Sequence, residues 1–217
     1  MTQSSVSVKI CGITTMEAAE AAAEAGAAYL GFISFPKSPR HLTLSKAQEL
    51  GKSLPQGPAR VGVFVNAAEQ DILEMIEALD LTHLQFHGHE SPEHIRALKD
   101  KTGLQTIKAL AIADSSDLEK AVPYYKSVDF LLFDAKPPKG SDLPGGNNVS
   151  LPWALLRNLK TPLPWFVAGG IHRGNMHEAV HQSHATMIDI SSGVESKPGL
   201  KDIAKIKALL YEIKQMK

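Results

Sequence analysis

Short apolar runs of strand length recur along the chain, and each is followed by a stretch with helical spacing or a high density of helix formers. The runs fall at residues 8–11, 28–33, 60–66, 83–86, 104–110, 128–134, 164–168 and 187–190. Between them, residues 15–25 are dense in Ala and Glu and stop at Gly26, and Thr43 opens a helix through Gly51. A third helix covers 69–79, and Ser91-Pro92-Glu93 is a helix start with Pro in the first turn. A short helix is expected over 115–120, another over 153–159, one from near Asn175, and an amphipathic one over 202–216.

Eight strand–helix pairs at spacings of about 20 to 30 residues, with strands that are nearly continuous apolar runs, imply a parallel sheet covered on both faces. The simplest closure is an α/β fold of the (β/α)8 TIM-barrel type, one domain over residues 1–217. A doubly wound open sheet is the rival, but it leaves some strands as polar edges, and the dinucleotide-like Gly-rich turn comes late in the chain. The stretch 135–148 is rich in Pro, Gly and polar residues, and so long a loop inside a compact domain is often functional. It reads as a mobile active-site loop after strand six.

Composition narrows the function classes. Lys plus Arg equal Asp plus Glu at 23 each, so the bulk field favours neither nucleic acid nor an anionic membrane, and any anion site must be local. One cysteine excludes an intramolecular disulfide, and the polar start Thr2-Gln3-Ser4-Ser5 lacks the basic and apolar regions of a secretory signal. A cytoplasmic protein is expected. No apolar run approaches the roughly 18 to 20 residues that span a bilayer.

In such barrels the active site is built at the carboxyl ends of the strands. The residues gathered there are Cys11, Arg40, Asn66, Gln85, His87, Asp134, Gly169, Gly170, Ser191, Ser192 and Gly193. Lys9 shares the strand face of Cys11. Small residues after strands seven and eight, Gly169, Gly170, Ser192 and Gly193, expose N–H groups to an anion, which points to a phosphorylated small molecule. That leaves Cys11 and Asp134 as general base and acid: a cation such as Lys9 would favour the thiolate, and an apolar setting near Phe133 would keep a proton on Asp134. A salt bridge from Asp134 to Lys9 or Lys136 is the purely structural rival. Arg40, beside the rigid prolines Pro36 and Pro39, offers a fork for a carboxylate. Lys9, Gln85 and His87 are candidates for lining the pocket. The other histidines lack metal-ligand spacing, so neither a metal nor a cofactor is expected.

The ordered set Val8-Lys9-Ile10-Cys11-Gly12-Ile13-Thr14, Pro36-Lys37-Ser38-Pro39-Arg40, Gly62-Val63-Phe64-Val65-Asn66, Leu84-Gln85-Phe86-His87-Gly88-His89-Glu90, Leu132-Phe133-Asp134, Ala168-Gly169-Gly170-Ile171 and Asp189-Ile190-Ser191-Ser192-Gly193-Val194-Glu195 resembles the phosphoribosylanthranilate isomerase family of tryptophan biosynthesis. The resemblance implies an Amadori rearrangement without a cofactor, with Asp134 protonating the ribose ring oxygen and Cys11 taking the proton from the sugar C2. It also implies that Arg40 holds the anthranilate carboxylate and that the last two loops hold the phosphate. The chain departs from the family at Gly145-Gly146-Asn147-Asn148, where a threonine and, further on, an aspartate are missing, so no polar residue of that loop is given a role. Alternatives are another phosphosugar barrel isomerase or a phosphometabolite-binding barrel without turnover. Either a monomer or a homodimer is compatible with the sequence.

Overall fold

The computed structural model describes residues 6–137, 140, 145 and 151–216. Eight parallel strands close into a barrel in chain order: β1 (Ser7–Cys11), β2 (Tyr29–Ser34), β3 (Ala59–Phe64), β4 (His83–Phe86), β5 (Gln105–Ile112), β6 (Phe130–Ala135), β7 (Trp165–Val167) and β8 (Met187–Ile190). Closure is made by β1, which pairs with both neighbours and sets Cys11 beside Gly31 and Lys9 beside Asp189. The helices α1 (Met16–Glu24), α2 (Leu44–Gly51), α3 (Glu69–Leu79), α4 (Pro92–Thr102), α5 (Met176–Ser183) and α6 (Ile203–Gln215) form the outer layer. Most of the 135–148 loop lies outside the described residues.

Local chemistry sets the helix starts. The side chains of Thr15, Thr43, Ser91 and Asp202 each accept a hydrogen bond from the backbone N–H three residues on; each such cap contributes about 1 kcal/mol. Two expected α-helices are 3-10 helices instead, Ser115–Tyr124 and Trp153–Leu156. Pro123 removes a donor inside the first. The second is only one turn long and is followed closely by Pro162 and Pro164. A small antiparallel hairpin, β9 (Glu195–Lys197) and β10 (Leu200–Lys201), follows β8. Its strands are too short to leave a periodic signal.

Strand alternation divides the core into two compartments. Ile10, Leu30, Phe32, Phe64, Phe86, Phe133 and Ile188 face the helices, each contributing about 1.5–3 kcal/mol by burial. Cys11, Val61, Val63, Ile107, Ala109, Leu132, Phe166 and Ala168 fill the barrel interior. At the amino-terminal end the rings of Tyr29, His83, Phe130 and Phe166 pack edge-on or tilted, 5.2 to 6.0 Å between neighbouring centres. This floor leaves the carboxyl-terminal end as the open one.

Candidate active site

At that end lies a cleft with about 800 Å³ of open space, lined among others by Cys11, Arg40, Gln85, His87, Asp134, Gly169, Gly170, Asp189 and Ser192. Cys11 is the last residue of β1 and is 5% exposed. Gly31 makes room for it, since a Cβ there would meet the sulfur at 2.9 Å. Gly12, at φ +80°, turns the chain immediately afterwards, and a Cβ at that position would meet Arg40 Cδ at 2.7 Å.

Lys9 lies beneath the cleft and does not line it; the ammonium is fully buried and donates to Asp189 Oδ1 at 3.0 Å. Burial opposes its charge, yet Asp189 and Cys11 outweigh that and hold its pKa above the ordinary value. Burial likewise pushes the Cys11 thiol up, reinforced by Asp189 and opposed by Lys9 and Lys201. The expectation that Lys9 makes the thiolate accessible near neutrality is thus corrected. Its help is present, but desolvation is larger and Asp189 neutralises part of the cation.

Asp134, next to last in β6, accepts a hydrogen bond from the Ala135 N–H through Oδ1 at 2.8 Å. Its pKa is pushed up to about 7 by burial first and by Asp189 second, against the Ala135 N–H and Lys9. The carboxyl therefore keeps its proton over much of the range where an ordinary aspartate has lost it. The rival salt bridge is not formed: Lys9 is taken by Asp189, and Lys136 lies 3.9 Å from Asp117. His87 Nε2 stands 3.5 Å from Asp134 Oδ2. Burial, then Lys9 and Lys108, lower its pKa to about 4, so the imidazole is neutral. Gly145 packs against both side chains, close enough that a Cβ would collide with them.

Arg40 is 4% exposed and its Nε and Nη2 donate to the two oxygens of Glu195 at 2.7 and 2.8 Å. The expected free fork is therefore half committed. Lys201 donates to the same carboxylate at 2.7 Å and to the Ser191 carbonyl at 3.0 Å, so one anion sits between two cations and leaves a positive surplus at the rim. Gly169 and Gly170, at φ +88° and +64°, form the turn after β7, and among the described residues no backbone carbonyl takes their N–H groups. Ser192 lines the cleft with them, whereas Gly193 faces a groove behind it with His172 and Lys205. Asn66, also expected at the site, uses its backbone N–H and side-chain oxygen to hold Glu90 and His89.

Sequence reasoning gave no role to Asp189, Glu195, Lys201 or the buried pair of Lys108 with Glu90, 2.9 Å apart. A carboxylate inside the four-residue apolar strand β8 was the available signal, because a buried charge requires a partner. Among the described residues no group of three or more His, Cys, Asp or Glu side chains is arranged to hold a metal ion, and no helix is long and apolar enough to cross a membrane.

The family model for N-(5'-phosphoribosyl)anthranilate isomerase matches residues 8–212. The chain belongs to this family. It is 47% identical over 205 residues to the N-(5'-phosphoribosyl)anthranilate isomerase of Paramagnetospirillum magneticum, covering 94% of this chain and 95% of that one. A phosphoribosylanthranilate isomerase in complex with reduced 1-(o-carboxyphenylamino)-1-deoxyribulose 5-phosphate superposes with a TM-score of 0.81 at 31% identity, over 97% of this chain and all of the other. A monomeric form of the dimeric isomerase of Thermotoga maritima gives 0.81 at 32% over the same shares. Members of the family are intramolecular aldose–ketose isomerases of tryptophan biosynthesis, and the chain is an isomerase of that class with a (β/α)8 barrel.

Proposed function

We propose that this isomerase converts N-(5'-phosphoribosyl)anthranilate to 1-(2-carboxyphenylamino)-1-deoxyribulose 5-phosphate with Asp134 as general acid and Cys11 as general base. The carrying observation is that a carboxyl group that holds its proton near neutrality and a buried thiol line one cleft. Asp134 gives its proton to the ribose ring oxygen as the bond from C1 to that oxygen breaks, and the nitrogen lone pair forms an iminium at C1. Cys11 as thiolate removes the C2 proton, and the electron pair moves to C1–C2 and neutralises the iminium, giving an enolamine. Loss of the proton on O2 and gain of one at C1 give the ketone, so C2 is oxidised, C1 reduced, and no cofactor is consumed. The iminium also answers the thiol's raised pKa, because a cation formed beside Cys11 favours the thiolate when it is needed.

The outer edge of Arg40 takes the substrate carboxylate, supported by the positive surplus that Arg40, Glu195 and Lys201 leave at the rim. The N–H groups of Gly169, Gly170 and Ser192, which line the cleft, take the phosphate; Gly193, facing the groove behind, turns the chain. The single thiol at the centre of the site suits a reducing compartment, and we assign the enzyme to the cytoplasm on that ground. Purified protein mixed with N-(5'-phosphoribosyl)anthranilate should consume its fluorescence with multiple turnovers. Binding without turnover would overturn the catalytic reading and leave a phosphometabolite-binding barrel.

A further inference from the structure

Residues two apart on a strand face the same way, and on β4 and the loop that extends it Gln85 and His87 both point into the cleft. Gln85 is 1% exposed, yet its Oε1 meets no donor; His87 Nε2 is buried and likewise without a hydrogen bond. Buried polar side-chain atoms are satisfied in the large majority of cases, and an orphan lowers stability unless something else completes it. The cross-strand partners of Gln85 are Val63 and Ile107, which belong to the apolar barrel interior, so an apolar side chain at position 85 would have suited the fold.

The chemistry of the orphan selects its partner. An amide oxygen accepts hydrogen bonds and repels anions, so neither the phosphate nor the carboxylate of the substrate suits Gln85 Oε1. The remaining groups able to donate are the sugar hydroxyls and the amine. In barrel order β4 stands across from β8, so Gln85 meets the substrate from the wall opposite Asp189 and the phosphate loop after β8. Cys11 works at C2 and Asp134 at the oxygen on C4, and the hydroxyl between those two points is the one on C3.

Resting on the isomerase reading above, we propose that Gln85 is a substrate-positioning residue whose amide takes the C3 hydroxyl of the sugar, with His87 closing the same polar edge beside Asp134. Binding is thereby specific for a hydroxylated chain between the two charged ends. The amide is retained for the ligand at the expense of the empty protein's stability.

Gln85→Met keeps the side-chain length and removes the amide. The expected result is a Tm equal to or above the parent's, with kcat/KM lowered at least tenfold. Affinity for the reduced product analogue should fall at least fivefold, whereas its 3-deoxy form should bind parent and variant alike. Parental kcat/KM and parental affinity in the variant would overturn the proposal. So would a lowered Tm with unchanged activity per folded molecule, or a variant that does not fold, since either makes the amide a packing element. Should the parent itself lack turnover, the catalytic reading fails, and the comparison of hydroxylated and 3-deoxy analogues still decides the role of Gln85.

Discussion

Replacing Asp134 by Asn should make the protein more stable as it removes the proposed acid, and the gain should grow with pH. Asp134 is 6% exposed, and its pKa is about 7 in the fold against an ordinary 3.8. Between those values the native state holds a proton that the unfolded chain has released. With more protons bound to the native state, stability must fall as pH rises through that window. Each pH unit costs about 1.4 kcal/mol, roughly 4 kcal/mol across the interval, with flat behaviour below and above it. Asparagine keeps the oxygen that accepts from the Ala135 N–H and has no proton to lose. The difference between variant and parent therefore isolates Asp134, because His87, titrating near 4, contributes to both.

The measurement is urea unfolding of both proteins at half-unit steps from pH 4 to 8.5. The stability gap should move in favour of Asn by several kcal/mol up to pH 7 and then level off. Over the same range the variant should lose at least a hundredfold in kcat, as expected for a general acid. A gap that stays within about 1 kcal/mol, or that shifts toward the parent as pH rises, would show that the carboxyl is ionised in the native state. Asp134 would then be unable to act as the acid near neutrality.

Cys11→Ser should lower kcat by a hundredfold or more with little change in KM, read from initial rates, if the thiol is the base at the reacting carbon as proposed. Arg40→Ala should raise KM and lower stability by about 3 kcal/mol in urea unfolding, since Glu195 loses its bidentate partner while Lys201 remains. Asp189→Asn should destabilise by about 3–5 kcal/mol, because it strands the fully buried Lys9 ammonium. The double variant with Lys9→Met should recover much of that loss; no recovery would mean that the pair is not the source of the effect.

The two side chains proposed for catalysis, Cys11 and Asp134, could be picked out because each stands at a strand end in an otherwise apolar run, and a fold with eight strand–helix repeats brings its strand ends together. Most helix starts were legible for a local reason too, since Thr15, Thr43 and Ser91 act within three residues of themselves. The electrostatic frame was not. Lys9 meets Asp189 across 180 residues and Arg40 meets Glu195 across 155, and no periodicity links such positions until the barrel closes. Closure sets Lys9 beside Asp189 in the β1–β8 register, and the pair then partly spends the cation that sequence reasoning had reserved for the thiol. Arg40 was read as a free fork for the same reason, because the short hairpin carrying Glu195 and Lys201 left no signal. What the pairs do to the site follows from their net charge. Lys9 with Asp189 is neutral and leaves desolvation in control of Cys11, whereas Arg40, Glu195 and Lys201 keep one positive charge at the rim, where an anionic aromatic substrate would enter.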